Sequence, residues 1–367
     1  MNGLLFTPAQ LGSLTIKNRL VRSATGEGMA EVDGSLTDDM VAFYRRLAEG
    51  GVGLIITGHT YVHPLGKASP GMAGLYADEQ IPMHRKLTDA VHEAGGVVAI
   101  QINHAGRQTS PARIGGNTPL APSALAAPGA KFTPKEMTAE DIEEAIQAFA
   151  DAARRAVEAG YDAVQIHSAH GYLISEFNSP YANHRTDKWG GTPQNRRRFL
   201  LEVCRRVRAA VGDDEPVFVK LNGEDFIEGG LTPEGSAEIA NALEAEGIDA
   251  IEVSAGFAET ADLIVRKDIS EPDQEAYLLP LARNIRDAVS VPVMMVGGLR
   301  SGEVMEWMLS EERMTFLSLS RPFIRQPDLA NRLKSGEIDR VTCISCGRCT
   351  RNSQGWLACA LDEEATA

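Results

Sequence analysis

Eight short apolar runs, separated by longer amphipathic stretches, constrain the fold of this chain most. We predict strands at residues 20–23, 52–57, 97–102, 163–167, 217–222, 250–254, 293–296 and 316–319. Strands that are apolar on both faces and alternate with helices indicate a parallel sheet covered by helices. Eight such repeats predict an α/β fold of the (β/α)8 TIM barrel type rather than an open doubly wound sheet.

The segments that flank the strands support this prediction. Ile142, Ile146 and Phe149 recur every three or four residues within 138–159, which predicts a helix that begins after Thr138 and ends before Gly160. Residues 4–17 are expected to form a hairpin that plugs the barrel floor. We predict a barrel domain over 1–338 and a short cysteine-rich tail over 339–367.

Composition excludes some classes of partner. The chain has 36 Lys and Arg against 50 Asp and Glu, a formal net charge of −14, which argues against nucleic-acid or anionic-membrane binding. No apolar run approaches the roughly 20 residues of a membrane span, and the first residues do not resemble a signal peptide. We therefore expect a soluble, cytoplasmic protein.

Two histidines follow the fourth predicted strand. In a TIM barrel, chemistry gathers at the carboxyl ends of the strands. His167 and His170 are three residues apart at such an end, so both could donate a hydrogen bond to one oxygen atom. A helix cap or a buried carbonyl partner is the structural alternative. Metal binding by the pair is disfavoured, because acids are scarce at the neighbouring strand ends and no HExxH motif occurs.

The last two strand ends indicate a phosphate site. Gly297 and Gly298 follow the seventh strand and permit close approach of the backbone, and Arg321 follows the eighth. A glycine pair alone often only permits a tight bend. No GxGxxG motif follows a strand and no Walker motif is present, which argues against a Rossmann-type domain.

Several motifs carry a resemblance to a known family. They are His-Ser-Ala-His-Gly-Tyr-Leu at 167–173, Ser-Pro-Tyr-Ala-Asn-His-Arg-Thr-Asp at 179–187, Gly-Gly at 190–191, Asn-Arg-Arg-Arg-Phe at 195–199, Leu-Phe-Thr-Pro at 5–8 and Lys-Asn-Arg at 17–19. Over roughly residues 4–335 the chain resembles the old yellow enzyme family of FMN-dependent ene-reductases, in particular its bacterial His-x-x-His branch. It also resembles the barrel portion of 2,4-dienoyl-CoA reductase and trimethylamine dehydrogenase, whose iron-sulfur cluster and further domains we expect this chain to be too short to hold.

The resemblance implies that FMN binds at the barrel mouth. The implied cofactor-binding residues are Ser23, Ala24, Thr25, Gly58, Gln101, Lys220, Gly297, Gly298, Ser320 and Arg321. His167 and His170 would bind the carbonyl or nitro oxygen of the substrate. Tyr172 would be the proton donor or a further substrate contact, with a core aromatic as the alternative. The implied reaction is ping-pong: NADH or NADPH reduces FMN and leaves, and the alkene then takes the hydride.

The loop after the first strand departs from the family. Many bacterial members have a redox-tuning cysteine there, whereas this chain reads Thr25-Gly26-Glu27-Gly28. Gly28 stands where relatives often place an aromatic residue, which predicts a roomier pocket. We expect Glu27 to be an exposed loop carboxylate, although a role near the flavin is the alternative.

Four of the five cysteines lie in the tail. Cys343, Cys346, Cys349 and Cys359 are separated by two, two and nine residues, whereas the multidomain relatives have gaps of two, three and eleven. A four-iron, four-sulfur cluster, a structural zinc site and a remnant without metal are the alternatives, with iron-sulfur favoured over zinc by the resemblance. A disulfide framework is disfavoured in a cytosolic protein. Cys204 is expected to be a core residue.

The leading functional hypothesis is an FMN-dependent ene-reductase that uses NAD(P)H to reduce activated alkenes: enones, enals, enoates or nitroalkenes. A second hypothesis is an electron-transfer subunit in which a cluster links FMN to a partner flavoprotein. A third is a barrel that binds a phosphorylated metabolite without redox chemistry. Because relatives are often dimers or tetramers, a homo-oligomer is expected.

Overall fold

The predicted strands form the barrel in a computed structural model that describes residues 3–351 and 357–362. Residues 1, 2, 352–356 and 363–367 of the predicted barrel and tail lie outside the described residues. The strands are β1 (Ala9–Leu11), β2 (Leu14–Ile16), β3 (Leu20–Arg22), β4 (Leu54–Tyr61), β5 (Val98–Asn103), β6 (Leu120–Ala121), β7 (Lys135–Glu136), β8 (Ala163–Ser168), β9 (Val217–Asn222), β10 (Ala250–Ser254), β11 (Val293–Val296), β12 (Phe316–Leu319), β13 (Cys349–Arg351) and β14 (Leu357–Cys359).

Eight parallel strands close on themselves in the order β3, β4, β5, β8, β9, β10, β11, β12. The circle is completed where β12 pairs with β3, with Leu317 opposite Leu20. The (β/α)8 prediction is therefore confirmed. The four predicted strands from 217 onward have the bounds of β9 to β12, whereas the others differ by one to four residues at an end.

The largest difference is in β4, which continues to Tyr61 instead of ending at residue 57. Its pairing with β5 is interrupted: Ile56 lies opposite Ala99, but His59 lies opposite Gln101. Two residues of β4 therefore face one residue of β5, which is a β-bulge. Because Gly58 lies in this bulge, the sequence pattern breaks there while the strand continues.

Helices cover the outside of the barrel. They are α1 (Asp38–Glu49), α2 (Ile81–Glu93), α3 (Ala139–Glu158), α4 (Leu173–Asn178), α5 (Pro193–Arg196), α6 (Arg198–Val211), α7 (Pro233–Ala245), α8 (Ala261–Ile264), α9 (Leu279–Ala288), α10 (Gly302–Ser310), α11 (Arg321–Arg325) and α12 (Leu329–Ser335). The helix predicted over 138–159 is α3. Thr138 Oγ1 accepts from the Asp141 N–H at 3.2 Å and Asp141 Oδ2 accepts from the Thr138 N–H at 2.8 Å, which satisfies two otherwise unpaired donors. None of the described helices combines the length and the apolar character needed to cross a membrane.

The N-terminal hairpin closes one end of the barrel. β1 and β2 are antiparallel, and the fully buried Leu11 and Ile16 pack with barrel residues such as Phe218, Met294 and Phe316. This confirms the predicted plug. With the floor filled by side chains, space for a ligand is left at the carboxyl ends of the strands.

The cysteine-rich tail returns to that open end. Arg325 Nη1 donates to the Thr342 carbonyl at 2.7 Å, and Arg321 Nη1 donates to the Ser345 carbonyl at 3.1 Å. Beyond them β13 and β14 form an antiparallel pair in which Cys349 lies opposite Cys359. The division into a barrel domain and a tail domain at residue 338 remains a prediction.

Candidate active site

A cavity of about 300 Å³ opens at the carboxyl ends of the barrel strands. Most residues that the sequence assigns to the cofactor, together with one of the two histidines, line it: Ser23, Ala24, Thr25, His170, Lys220, Gly297, Gly298, Ser320 and Arg321. A larger groove of about 900 Å³ runs between α1 and α2 but contains no predicted site residue. The first cavity is therefore the candidate site.

One end of the cavity fits a phosphate group. Gly297 and Gly298 have φ angles of +140° and +77°, and a Cβ atom on Gly298 would lie 2.6 Å from Ile269 Cδ1. Only glycine suits such a backbone, which brings its amide groups close to the cavity. The Ser318 hydroxyl is buried there without a hydrogen-bond partner among the described residues, and Arg321 supplies a cation. These groups fit a phosphorylated cofactor such as FMN.

Below the cavity a chain of buried polar side chains crosses the barrel. Gln101 Nε2 donates to Gln165 Oε1 at 2.6 Å, and Gln165 Nε2 donates to Glu252 Oε2 at 2.7 Å. Glu252 also accepts from the Ser23 hydroxyl at 2.7 Å and lies 3.2 Å from Lys220 Nζ. Gln101 thus belongs to this network and is absent from the cavity lining. Gln165 and Glu252 were not predicted, although polar residues inside two apolar strands were their signal.

His170 is held by three hydrogen bonds in an unusual backbone conformation. Its φ angle is +63°, which is uncommon for a residue other than glycine. Its N–H donates to Asn222 Oδ1 at 3.1 Å, its carbonyl accepts from Gln108 Nε2 at 2.7 Å, and its Nε2 lies 2.7 Å from the Ser254 hydroxyl. A strained backbone conformation that several hydrogen bonds hold in place is typical of functional positions.

His167 presents a defined tautomer. Its Nδ1 accepts from the Ala169 N–H at 3.2 Å, so the ring proton is on Nε2. The rings of His167 and His170 have centroids 5.1 Å apart, so the structure brings the two predicted residues together. Nε2 of His167 is therefore a donor available to a ligand beside the cavity.

Burial keeps both imidazoles neutral. It lowers the pKa of His170 to about 3, with the Lys220 charge as a smaller cause, and it lowers the pKa of His167 well below its usual value. Burial likewise raises the pKa of Tyr172 to about 12, so the phenol keeps its proton at neutral pH. Both histidines can act as neutral groups and Tyr172 as a hydrogen-bond donor.

A third histidine, which was not predicted, joins this group. The ring of His59 lies 5.2 Å from that of Tyr172 and 6.2 Å from that of His167, and the rings of His167 and Tyr172 are 5.1 Å apart. Burial lowers the pKa of His59 to about 4, partly offset by the nearby Glu27. The missed signal was the continuation of β4 past Gly58.

The expectation that Glu27 is exposed was wrong. Only 4% of the residue is accessible, and its Oε1 accepts from Arg22 Nη2 at 3.2 Å, from the Gly58 N–H at 2.8 Å and from the Tyr44 hydroxyl. The buried guanidinium of Arg22 requires a counter-charge, which Glu27 supplies. Because its N–H is bound by Glu27, Gly58 is placed beside this ion pair and not in the cavity lining.

One of the tail cysteines, Cys349, borders the site. Within the described ranges 3–351 and 357–362, no three His, Cys, Asp or Glu side chains are arranged to hold a metal ion. Cys349 lines the cavity together with Ser345 and Gly347 of the tail. Burial raises the pKa of Cys349 to about 11. Cys204 is buried in α6, as expected.

Comparison with known proteins gives one consistent result. Residues 4–340 match the model of the NADH:flavin oxidoreductase / NADH oxidase family. The chain is 38% identical over 327 residues to an NADPH dehydrogenase of Bacillus subtilis, covering 89% of this chain and 93% of that protein. It is also 38% identical over 344 residues to an NADH oxidase of Thermoanaerobacter brockii, covering 93% of this chain but 52% of that protein.

A solved structure agrees with the sequence matches. The old yellow enzyme homologue of Zymomonas mobilis superposes with a TM-score of 0.82 at 30% identity, covering 96% of this chain and 98% of that one. The chain spans about half the length of the NADH oxidase and of a metal reductase of Desulforamulus reducens. From the barrel, the cavity and these matches, the chain belongs to the NADH:flavin oxidoreductase / NADH oxidase family, the family of old yellow enzyme.

Proposed function

We propose that this protein is an NAD(P)H-dependent FMN ene-reductase that acts on alkenes conjugated to a carbonyl or nitro group. The observation that carries the proposal is the pair of neutral, buried imidazoles of His167 and His170 beside the phosphate-fitting cavity. FMN, when bound, would supply the hydride that NAD(P)H provides. The residues proposed to hold FMN are Ser23, Ala24, Thr25, Lys220, Gly297, Gly298, Ser320 and Arg321, with Gly58 and Gln101 supporting them from behind.

The two histidines would stabilise charge on the substrate oxygen. As the β-carbon of the alkene gains hydride, negative charge develops on the conjugated oxygen. His167 donates to it through Nε2, and His170 donates through Nδ1 when its Nε2 accepts from the Ser254 hydroxyl. Because hydrogen bonds and burial fix the rings in advance, the donors need no rearrangement as the charge develops.

Tyr172 is proposed as the proton donor to the carbon next to the activating group. Its ring is in contact with that of His167, and its raised pKa keeps the phenol protonated across the physiological range. Lys220 is buried beside Ser23 in the cavity wall, where its charge would favour an anionic reduced cofactor. Glu252 at 3.2 Å compensates part of that charge.

The proposal is tested with purified protein, NADPH and 2-cyclohexenone. We expect flavin absorbance that bleaches with NADPH and returns when the enone is added, with one alkene reduced per NADPH consumed. His167→Ala should abolish most of this turnover. His92→Ala, on the outer helix α2, serves as the matched control. A protein without flavin, or a flavin that NADPH reduces but the enone does not reoxidise, would contradict the proposal.

A second candidate function is electron transfer through a tail-bound iron-sulfur cluster. It is favoured by the position of Cys349 in the cavity wall and by its pairing opposite Cys359, with Cys343 and Cys346 preceding it in the same tail. About four irons and four sulfides per anaerobically purified chain, lost in Cys349→Ser, would support a cluster. One zinc per chain would support a structural zinc site. A chain that holds neither iron nor zinc would indicate that the cysteines are a remnant without metal.

The proposed oligomeric state follows from the same family relationship. We infer a cytoplasmic homo-oligomer that acts on a small molecule and binds no nucleic acid. Light scattering of the purified protein tests the oligomeric state. A monomeric mass at micromolar concentration would contradict it.

A further inference from the structure

The bulge in β4 places a third imidazole at the barrel mouth. In a regular strand, successive side chains alternate between the two faces of the sheet, and one inserted residue changes which side chain faces a given direction. The insertion lies between Ile56 and His59. It brings the ring of His59 to 5.2 Å from Tyr172 and 6.2 Å from His167, so three polar rings border one region.

The side chain of His59 has no hydrogen-bond partner within the described part of the chain. Its contacts there are ring contacts with His167 and Tyr172, and the residue is half-buried. With its pKa lowered to about 4 by burial, the ring is neutral and offers one donor and one acceptor nitrogen. A neutral imidazole held by aromatic contacts, with both nitrogens unused, is suited to bind a ligand.

The space beside this ring is left open by a glycine. A Cβ atom placed on Gly26 would lie 3.8 Å from His59 Nε2 and would meet no other heavy atom within 4 Å. The loop after β3 therefore leaves room in front of Nε2. Gly26 does not have a positive φ angle, so its backbone alone does not require glycine. An atom of a bound ligand could fill this room.

From this arrangement we propose that His59 is a specificity-determining residue that binds the second oxygen of a two-oxygen activating group, a nitro group or a carboxylate. The inference rests on the proposed function, in which His167 and His170 bind the first oxygen. Substrates with a single carbonyl oxygen leave His59 unused. The protein accordingly prefers nitroalkenes and enoates over simple enones of the same size.

The test compares two substrates of matched ring size, 1-nitrocyclohexene and 2-cyclohexenone, in the parent protein and four variants. His59→Phe keeps an aromatic ring against Tyr172 but removes both nitrogens. Gly26→Ala keeps His59 but fills the space in front of Nε2. His92→Phe on α2 is the control. Equilibrium binding of benzoate and of cyclohexanone, by calorimetry on the same proteins, gives a readout that does not require turnover.

We expect His59→Phe to lower kcat/KM for the nitroalkene and the affinity for benzoate about tenfold to a hundredfold, which is the loss of one hydrogen bond to a charged acceptor. Enone turnover and cyclohexanone affinity should fall much less. Gly26→Ala should show the same selective losses. His59→Gln retains an N–H donor and should therefore keep part of the nitroalkene turnover and benzoate affinity that His59→Phe loses.

The role of His59 would be overturned if His59→Phe lowered kcat/KM equally for the nitroalkene and the enone and lowered affinity equally for benzoate and cyclohexanone. It would also be overturned if turnover of the nitroalkene and binding of benzoate were unchanged. Either result would leave the ene-reductase proposal standing. If the parent protein reduces neither substrate, the proposed function fails. The benzoate and cyclohexanone affinities then decide the role of His59 alone, because a benzoate-selective loss in His59→Phe supports it and an unselective result overturns it.

Discussion

Replacing Glu252 with glutamine should destabilise the protein strongly, because it leaves the Lys220 ammonium buried without a counter-charge. The two side chains are 0% and 4% exposed, and Nζ lies 3.2 Å from Oε2. At this distance and an effective dielectric constant of about 20, their Coulomb attraction is about 5 kcal/mol. Desolvation of both groups offsets much of that attraction, so the pair itself is worth less than this.

Removing one charge of the pair lowers the stability of the fold more than removing both. Breaking a buried pair on one side typically costs about 3 to 5 kcal/mol, whereas an apolar replacement of both charges is often close to neutral. We therefore expect Glu252→Gln to lower the free energy of unfolding by about 3 to 5 kcal/mol. Glu252→Gln combined with Lys220→Met should recover at least half of that loss. The hydrogen bonds from Ser23 and Gln165 to position 252 limit the recovery, since a neutral amide accepts them less strongly.

The assay is urea unfolding of the cofactor-free proteins, followed by circular dichroism, so that changes in FMN affinity do not enter. Lys220→Met alone completes the double-mutant cycle, and Glu228→Gln at an exposed turn position is the control for loss of a carboxylate. The reasoning is refuted if Glu252→Gln stays within about 1 kcal/mol of the parent, or if the double variant is no more stable than Glu252→Gln.

Three further predictions concern the site. His167→Ala should lower kcat with 2-cyclohexenone about 10² to 10³-fold at unchanged FMN content, and a loss below tenfold would speak against the oxyanion role. Gly298→Ala should weaken FMN binding at least about tenfold in titrations of the cofactor-free protein, because its φ of +77° and the 2.6 Å approach to Ile269 leave no room for Cβ; unchanged affinity would place the phosphate elsewhere. Because the folded pKa values of His59 and His170 are about 4 and about 3, the unfolded chain binds more protons below pH 6.5. The contribution of these two histidines to stability should therefore be complete above pH 6.5 and decrease as the pH is lowered toward 4, and urea midpoints that stay constant between pH 7 and 5 would contradict this.

The barrel could be predicted because its determinants are local. Runs such as Val217–Asn222 are apolar throughout and bounded by turn residues, and Thr138 with Asp141 marks a helix start within four residues. The bulge in β4 could not be predicted, because it depends on the pairing of Gln101 with His59 across two strands. Because the strand was predicted to end at residue 57, His59 was not recognised as a site residue.

Buried acidic residues were the second feature that could not be predicted from the sequence. Glu27 follows two small residues in a loop, a pattern typical of an exposed carboxylate. Its burial depends on Arg22, Tyr44 and Gly58, which converge only in the folded barrel. Glu252 was missed for the same reason, since its partners Ser23, Gln165 and Lys220 come from three other strands or strand ends. The individual histidines His167 and His170 were found because both lie within one strand-to-helix turn.

The position of the tail links cofactor retention to a part of the chain far from the barrel strands. Ser345, Gly347, Cys349 and Leu357 form one wall of the cavity, and Arg321 fastens that wall through the Ser345 carbonyl. A ligand held against this wall and the docking of the tail must favour each other by mass action. Detaching the tail should therefore speed the dissociation of a ligand from the cavity. A bound ligand should in turn protect the tail from proteolysis.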